Sequence, residues 1–155
     1  MNDAVIRKAQ VKDVKIIHRM LLECSGNGLL LPRPHIDLYS RLRDFYVLAP
    51  ADQGEIKACC ALALCWEDLA EIRSLAVAED MQGRGWGTRL VEACLSEAVT
   101  MGIYRVFTLT YKTNFFASLG FIKVSKEILP HKVWSDCIHC HKFPDCNETA
   151  MLIQM

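Results

Sequence analysis

The sequence predicts an α/β fold, in the α+β sense: a mixed, mostly antiparallel sheet flanked by helices, in a single domain covering residues 1–155. Three observations carry that expectation. Short apolar runs alternate with helical stripes in the order β-α-α-β-β-β-α-β-α-β. Two of the runs, YVLA (46–49) and IKACCALALCW (56–66), are close enough to form a hairpin, which brings antiparallel pairing into the sheet. No linker, internal repeat or low-complexity segment divides the 155 residues, a length suited to one domain.

In chain order, AVIRKA (4–9) alternates and predicts a short strand. Asp13 is placed to cap a helix in which Val14, Ile17 and Leu21 share one face, running to the glycines at 26 and 28. LLLPRPH (29–35) predicts a loop, and IDLYSRLRDF (36–45) a second short helix. The hairpin turns at DQGE (52–55), with Gly54 supplying the turn. EIRSLAV (71–77) is apolar enough to be a central strand. After it, Leu90, Val91, Cys94, Leu95, Ala98 and Met101 form a helical stripe that stops at Gly102. YRVFTLT (104–110) predicts a strand, NFFASLG (114–120) a short helix and FIKV (121–124) a strand. The remainder, with the polar stretch KVWSDCIHCHKFPDCNE (132–148), shows no period and reads as an ordered appendage over 130–155.

Composition narrows the function. Lys plus Arg and Asp plus Glu balance at 18 each, so the chain has no electrostatic footprint for nucleic acid or an anionic membrane surface. The longest apolar run, ACCALALCW, is too short to span a bilayer. No apolar signal segment opens the chain, so its eight cysteines are expected to be reduced thiols or metal ligands in the cytoplasm. Small molecules are the expected partners, and a homo-oligomer is compatible with the sequence.

The stretch QGRGWG (82–87) carries the chemistry. Glycines at a strand-to-helix junction let backbone N–H groups close around an anion, most often a phosphate. A P-loop needs a lysine before Ser or Thr, and Thr88 follows Gly87 without one. A dinucleotide fingerprint needs G-x-G-x-x-G in the first unit of a doubly wound sheet, whereas Gly83, Gly85 and Gly87 are spaced G-x-G-x-G after a hairpin. The remaining pattern is Q-x-x-G-x-G, met by Gln82, Gly85 and Gly87.

On those residues, AEIRSLAVAEDMQGRGWGTRLVEA (70–93) resembles the acyl-CoA-binding motif of the GNAT superfamily of N-acetyltransferases, and FFASLGF (115–121) resembles its second CoA-facing motif. The resemblance implies acetyl-CoA as acetyl donor. It also implies a bulged strand whose Leu75, Ala76 and Val77 pair with pantetheine, and a loop of Gln82, Gly83, Arg84, Gly85, Trp86, Gly87 and Thr88 around the pyrophosphate. A closer similarity runs almost the length of the chain. IRKAQVKDV, GLLLPRP, DFYVLA and LPHKVWSDCIHCHKFPDCNETAM resemble the short, single-domain N-acetylglutamate synthases of bacterial arginine biosynthesis. The longer enzymes of that activity carry an amino-acid-kinase-like domain, which is expected to be missing here together with its arginine feedback. The implied reaction is acetyl transfer to the α-amine of L-glutamate. Glutamine, another amino acid or a peptide N-terminus is the near alternative, and a non-catalytic acyl-CoA sensor the distant one.

That reaction needs a base, an oxyanion donor and a proton for the leaving thiolate. Glu71 opens the central strand where several GNAT enzymes place their general base. A backbone N–H around Leu75 and Ala76 can meet the oxyanion. Many relatives supply the proton from a tyrosine four residues before the glycine of the GF pair. Here Phe116 stands there, leaving Tyr111 or no dedicated acid. Attack through a cysteine is disfavoured, because Cys94, Cys59, Cys60 and Cys65 lie on core stripes without a neighbouring histidine. A dianionic acceptor calls for at least two cations, and Arg33, Arg73, Arg7 and Lys132 are the candidates. In the tail, Cys137, Cys140 and Cys146 with His139 or His141 either bind zinc or are reduced side chains over the acceptor pocket.

Overall fold

The computed structural model describes residues 4–26, 34–52, 54–129 and 148–155. Among them, seven strands form one sheet in the order β1-β2-β3-β4-β5-β7-β6. They are β1 (Val5–Lys8), β2 (Phe45–Ala49), β3 (Ala58–Trp66), β4 (Leu69–Val77), β5 (Arg105–Thr110), β6 (Ile122–Lys123) and β7 (Thr149–Gln154). Every neighbouring pair is antiparallel except β4 and β5. The helices are α1 (Val14–Gly26), α2 (His35–Ser40), α3 (Trp86–Thr100) and α4 (Thr113–Ser118).

The apolar stripes account for the layers. Leu90, Val91, Cys94 and Ala98 of α3 pack on one face of the sheet against Cys60, Leu62, Ile72 and Val106. Val14, Ile17 and Leu21 of α1, with Leu38 of α2, cover the other face over Val47, Cys59 and Ala61. Sandwiched between the two layers, β3 is buried at every position from Ala58 to Ala63 and shows no alternation there. Residues 35–44 are not one helix: α2 stops at Ser40, and Leu42–Asp44 forms a 3-10 turn. Asp13 ends a 3-10 turn ahead of α1, where its carboxylate accepts the Gln10 N–H at 2.7 Å. At the β2–β3 connection the Gly54 N–H donates to Asp52 Oδ1 at 2.9 Å.

The six strands expected from the sequence are joined by a seventh. TAMLIQ, read above as part of an appendage, forms β7 and pairs along the whole of β5, from Arg105↔Gln154 to Thr110↔Thr149. It lies inside the sheet, with Ala150 and Met151 buried. The missed signal was an apolar run of four residues at the end of a polar, cysteine-rich stretch. Residues 130–147 lie outside the described part, so their reading as an ordered appendage has no structural counterpart.

Candidate active site

β4 and β5 run parallel but hold register at only two positions, Ala70↔Val106 and Glu71↔Phe107. The hydroxyl of Thr108, itself buried, donates to the Ile72 carbonyl at 2.9 Å just above them. Beyond that tie the strands part, and a cavity of about 540 Å³ opens between them. One wall is the upper half of β4, Arg73 to Val77; the other is Thr108, Leu109, Thr110 and Tyr111.

The wall on β4 is bulged. Ala61 pairs with Arg73 and Cys59 with Ala76, so Ser74 and Leu75 face a single residue of β3 and stand outside the ladder. Ser74 takes a positive φ of 57°, uncommon for a residue with a side chain. Its carbonyl accepts the Cys59 thiol at 3.4 Å. Leu75, Ala76 and Val77 all line the cleft.

From Val77 the chain makes a 3-10 turn, Glu79–Met81, and enters the glycine stretch. The Gln82 side-chain amide donates to the Val77 carbonyl at 3.0 Å, so this glutamine braces the strand end. Gly83 (φ 75°) and Gly85 (φ 82°) are left-handed. A Cβ on either would touch nothing within 4 Å, so glycine is required there for its backbone angle and not for space. Gly85 caps α3 and brings no side-chain acceptor to the first-turn N–H groups at the positive end of the helix dipole. That geometry suits a phosphate. Gly87 and Thr88 continue the lining, with Gly87 lying against the Phe115 ring. Trp86 lines the cleft too, and Arg89 stacks over its ring at 4.6 Å. Arg84 is exposed on the loop.

Glu71 and Arg73, two residues apart on β4, both line the cleft. Their side chains are only 12% and 14% exposed, and Arg73 Nη1 stands 3.6 Å from Glu71 Oε1. The sequence assigned these residues separate tasks; the fold makes them a mostly buried ion pair. Phe116, at the position of the absent tyrosine, is buried edge-on against Phe115 and Phe121.

Arg7 lines a separate cavity of about 430 Å³ and binds Asp13 through two hydrogen bonds, at 2.7 and 3.2 Å. Its place on β1, three strands from β4, keeps it out of the cleft. Arg33, Lys132, Cys137, Cys140, Cys146, His139 and His141 lie outside the described residues. Among the described residues, no group of three His, Cys, Asp or Glu side chains could hold a metal ion.

The buried thiols are poor nucleophiles. Burial pushes Cys59 up to about 12, and a hydrogen bond with Cys94 together with burial drives Cys60 up as well. Cys24, at the end of α1, was missed in the sequence although it follows Leu21 by three positions; it lines the cleft. Burial raises its thiol, with the charge of Lys112 pulling the other way. Thr108, Thr110, Lys112 and Glu148 were missed as well. The two threonines had a signal: hydroxyls at alternate positions of an otherwise apolar strand.

The sequence profile of the acetyltransferase (GNAT) family matches residues 16–123. An uncharacterized N-acetyltransferase of Chlorobaculum tepidum is 38% identical over 97% of this chain and 96% of its own length. An amino-acid acetyltransferase of Mycobacterium tuberculosis is 36% identical over 77% of this chain and 69% of its own. Among solved structures, a Mycobacterium tuberculosis protein in complex with CoA and NLQ superposes with a TM-score of 0.83 at 30% identity, over 97% of this chain and 99% of that one. N-acetylglutamate synthase from Neisseria gonorrhoeae, complexed with coenzyme A and N-acetyl-glutamate, superposes with a TM-score of 0.86 at 28% identity. That match covers 97% of this chain and 35% of the synthase.

Proposed function

The chain belongs to the acetyltransferase (GNAT) family, and from that premise we propose that it transfers the acetyl group of acetyl-CoA to the α-amine of L-glutamate, as in the first step of arginine biosynthesis, in the cytoplasm. One observation carries the reading. The Glu71–Arg73 pair sits within the same cleft as the bulged, splayed half of β4, placing a carboxylate and a guanidinium beside an unpaired strand edge. Two relatives support the acceptor class: the amino-acid acetyltransferase of Mycobacterium tuberculosis and the gonococcal synthase crystallised with N-acetyl-glutamate.

In this reading the pantetheine of acetyl-CoA lies along Leu75 to Val77 as an added strand. Its pyrophosphate meets the N–H groups of Gly83 to Thr88. The donor itself supplies an activated thioester, and this chain's residues do the rest. Glu71, directly or through water, draws the proton from the acceptor ammonium, because only the free amine attacks. An N–H released by the bulge at Ser74 and Leu75 faces the developing oxyanion. The departing thiol, with a pKa near 8.5, needs at most a weak acid such as Tyr111. Arg73 holds Glu71 in place, and its guanidinium meets the acceptor's α-carboxylate. Arg33 and Lys132 are proposed as further carboxylate contacts.

Release of free CoA thiol from acetyl-CoA, measured across a panel of glutamate, glutamine, aspartate and short peptides, tests the proposal. Glutamate should be turned over fastest. Turnover of peptides alone would replace the acceptor, and tight acetyl-CoA binding without turnover of any amine would make the chain a sensor.

A further inference from the structure

We infer that Lys112 determines acceptor specificity, meeting the side-chain carboxylate of an acidic amino acid and thereby favouring it over a neutral one of the same length. The inference rests on the amino-acid acetyltransferase reading and deepens it.

Charge accounting in the cleft leads there. Among the described residues that line it, the cations are Arg73 and Lys112 and the acids are Glu71 and Glu148. Arg73, 3.6 Å from Glu71, is the cation assigned above to the acceptor carboxylate that all amino acids share. Lys112 has no carboxylate within 4.0 Å among the described residues. An acceptor with one carboxylate would need a single cation; the second carboxylate of an acidic side chain needs another.

The backbone of Lys112 is fixed. Its N–H donates to the buried Thr110 hydroxyl at 2.8 Å, and the residue forms the N-terminal boundary of α4. From that position the charge reaches across the cleft to α1, where it draws down the Cys24 thiol against the effect of burial. Lys112 thus lines the same cavity as Cys24, with its charge within electrostatic reach of the end of α1. A point charge on a four-carbon stem also suits a flexible side-chain carboxylate better than a rigid fork would.

The experiment compares glutamate with glutamine as acceptors in the wild type and in Lys112→Met and Lys112→Arg. In Lys112→Met the KM for glutamate should rise about ten-fold while that for glutamine stays put, so the preference collapses. Lys112→Arg should restore most of it. Raising the salt concentration should erode the preference of the wild type and leave Lys112→Met unaffected. The KM for acetyl-CoA should not change in either variant, which also reports an intact fold. A wild type that prefers glutamate, with Lys112→Met keeping that preference, overturns the inference alone. Equal weakening for both acceptors overturns it too, since Lys112 would then hold a group they share. A wild type that acetylates neither amino acid removes the acceptor reading and the inference with it.

Discussion

Replacing Glu71 by glutamine keeps the shape of the side chain and removes its ability to take a proton. The Glu71→Gln variant should lose about a hundred-fold in kcat at neutral pH and keep its affinity for acetyl-CoA. Rate should return as pH rises, because the amine then deprotonates without help; stopped-time thiol release between pH 6 and 10 checks this. Asp13 is a carboxylate of a different kind. Burial alone would push it up, but the two hydrogen bonds from Arg7, the Gln10 N–H and the charges of Arg7 and Lys12 together hold it below its ordinary value. A carboxyl depressed in the folded state stabilises the fold fully above its unfolded pKa of about 4, and that contribution is lost as pH falls through the folded value. Asp13→Asn should therefore be less stable than the wild type at pH 7 and lose less on acidification, as urea titrations from pH 7 to 3 would register.

The N-terminus of α3 and the strand β7 depend on different kinds of residue. Gly85 at φ 82° admits a Cβ without any clash, so Gly85→Ala carries only the left-handed backbone cost of about 1–2 kcal/mol. It should lower the melting temperature; Gly85→Glu, which brings a carboxylate to the proposed pyrophosphate site, should also abolish acetyl-CoA binding, and affinity unchanged in that folded variant would remove the loop from donor binding. Met151 of β7 is buried in the same core cluster as Phe116 of α4 and Phe121. A charge there, in Met151→Asp, should cost about 3 kcal/mol or more and abolish cooperative unfolding by circular dichroism. The two elements were unequally legible. QGRGWG could be read because a run of glycines before a helical stripe reports backbone angles directly, and Gly83 and Gly85 do take the left-handed conformation. β7 escaped because its partner β5 lies some forty residues earlier in the chain, and no local period reports such pairing. The Arg7–Asp13 pair escaped for a related reason. The candidacy of Arg7 followed from charge alone, while its partner Asp13 is presented by a 3-10 turn that periodicity does not reveal. Cys24 and Lys112 were invisible until the splay of β4 and β5 put α1 and the start of α4 on one cavity.

For the chain as a whole, donor binding should register as stability. Acetyl-CoA at a hundred times its Kd adds about 2.7 kcal/mol to a folded state that alone can bind it. For a chain of this length that corresponds to a rise of roughly 5–10 °C in melting temperature. Differential scanning fluorimetry with acetyl-CoA, against dephosphorylated pantetheine thioester as control, should show the shift for the intact donor and a smaller one for the control. The division of the sheet makes this more than a local effect. β1 to β4 form one leaf and β5, β7 and β6 the other; among the described residues two registered pairs, the Thr108 hydroxyl and an Arg105–Asp68 hydrogen bond at 3.4 Å tie the leaves along their shared edge. Such a molecule is built like a book with a short spine. A thioester lying between the open pages would act as a rivet, since prying the leaves apart would first require expelling it.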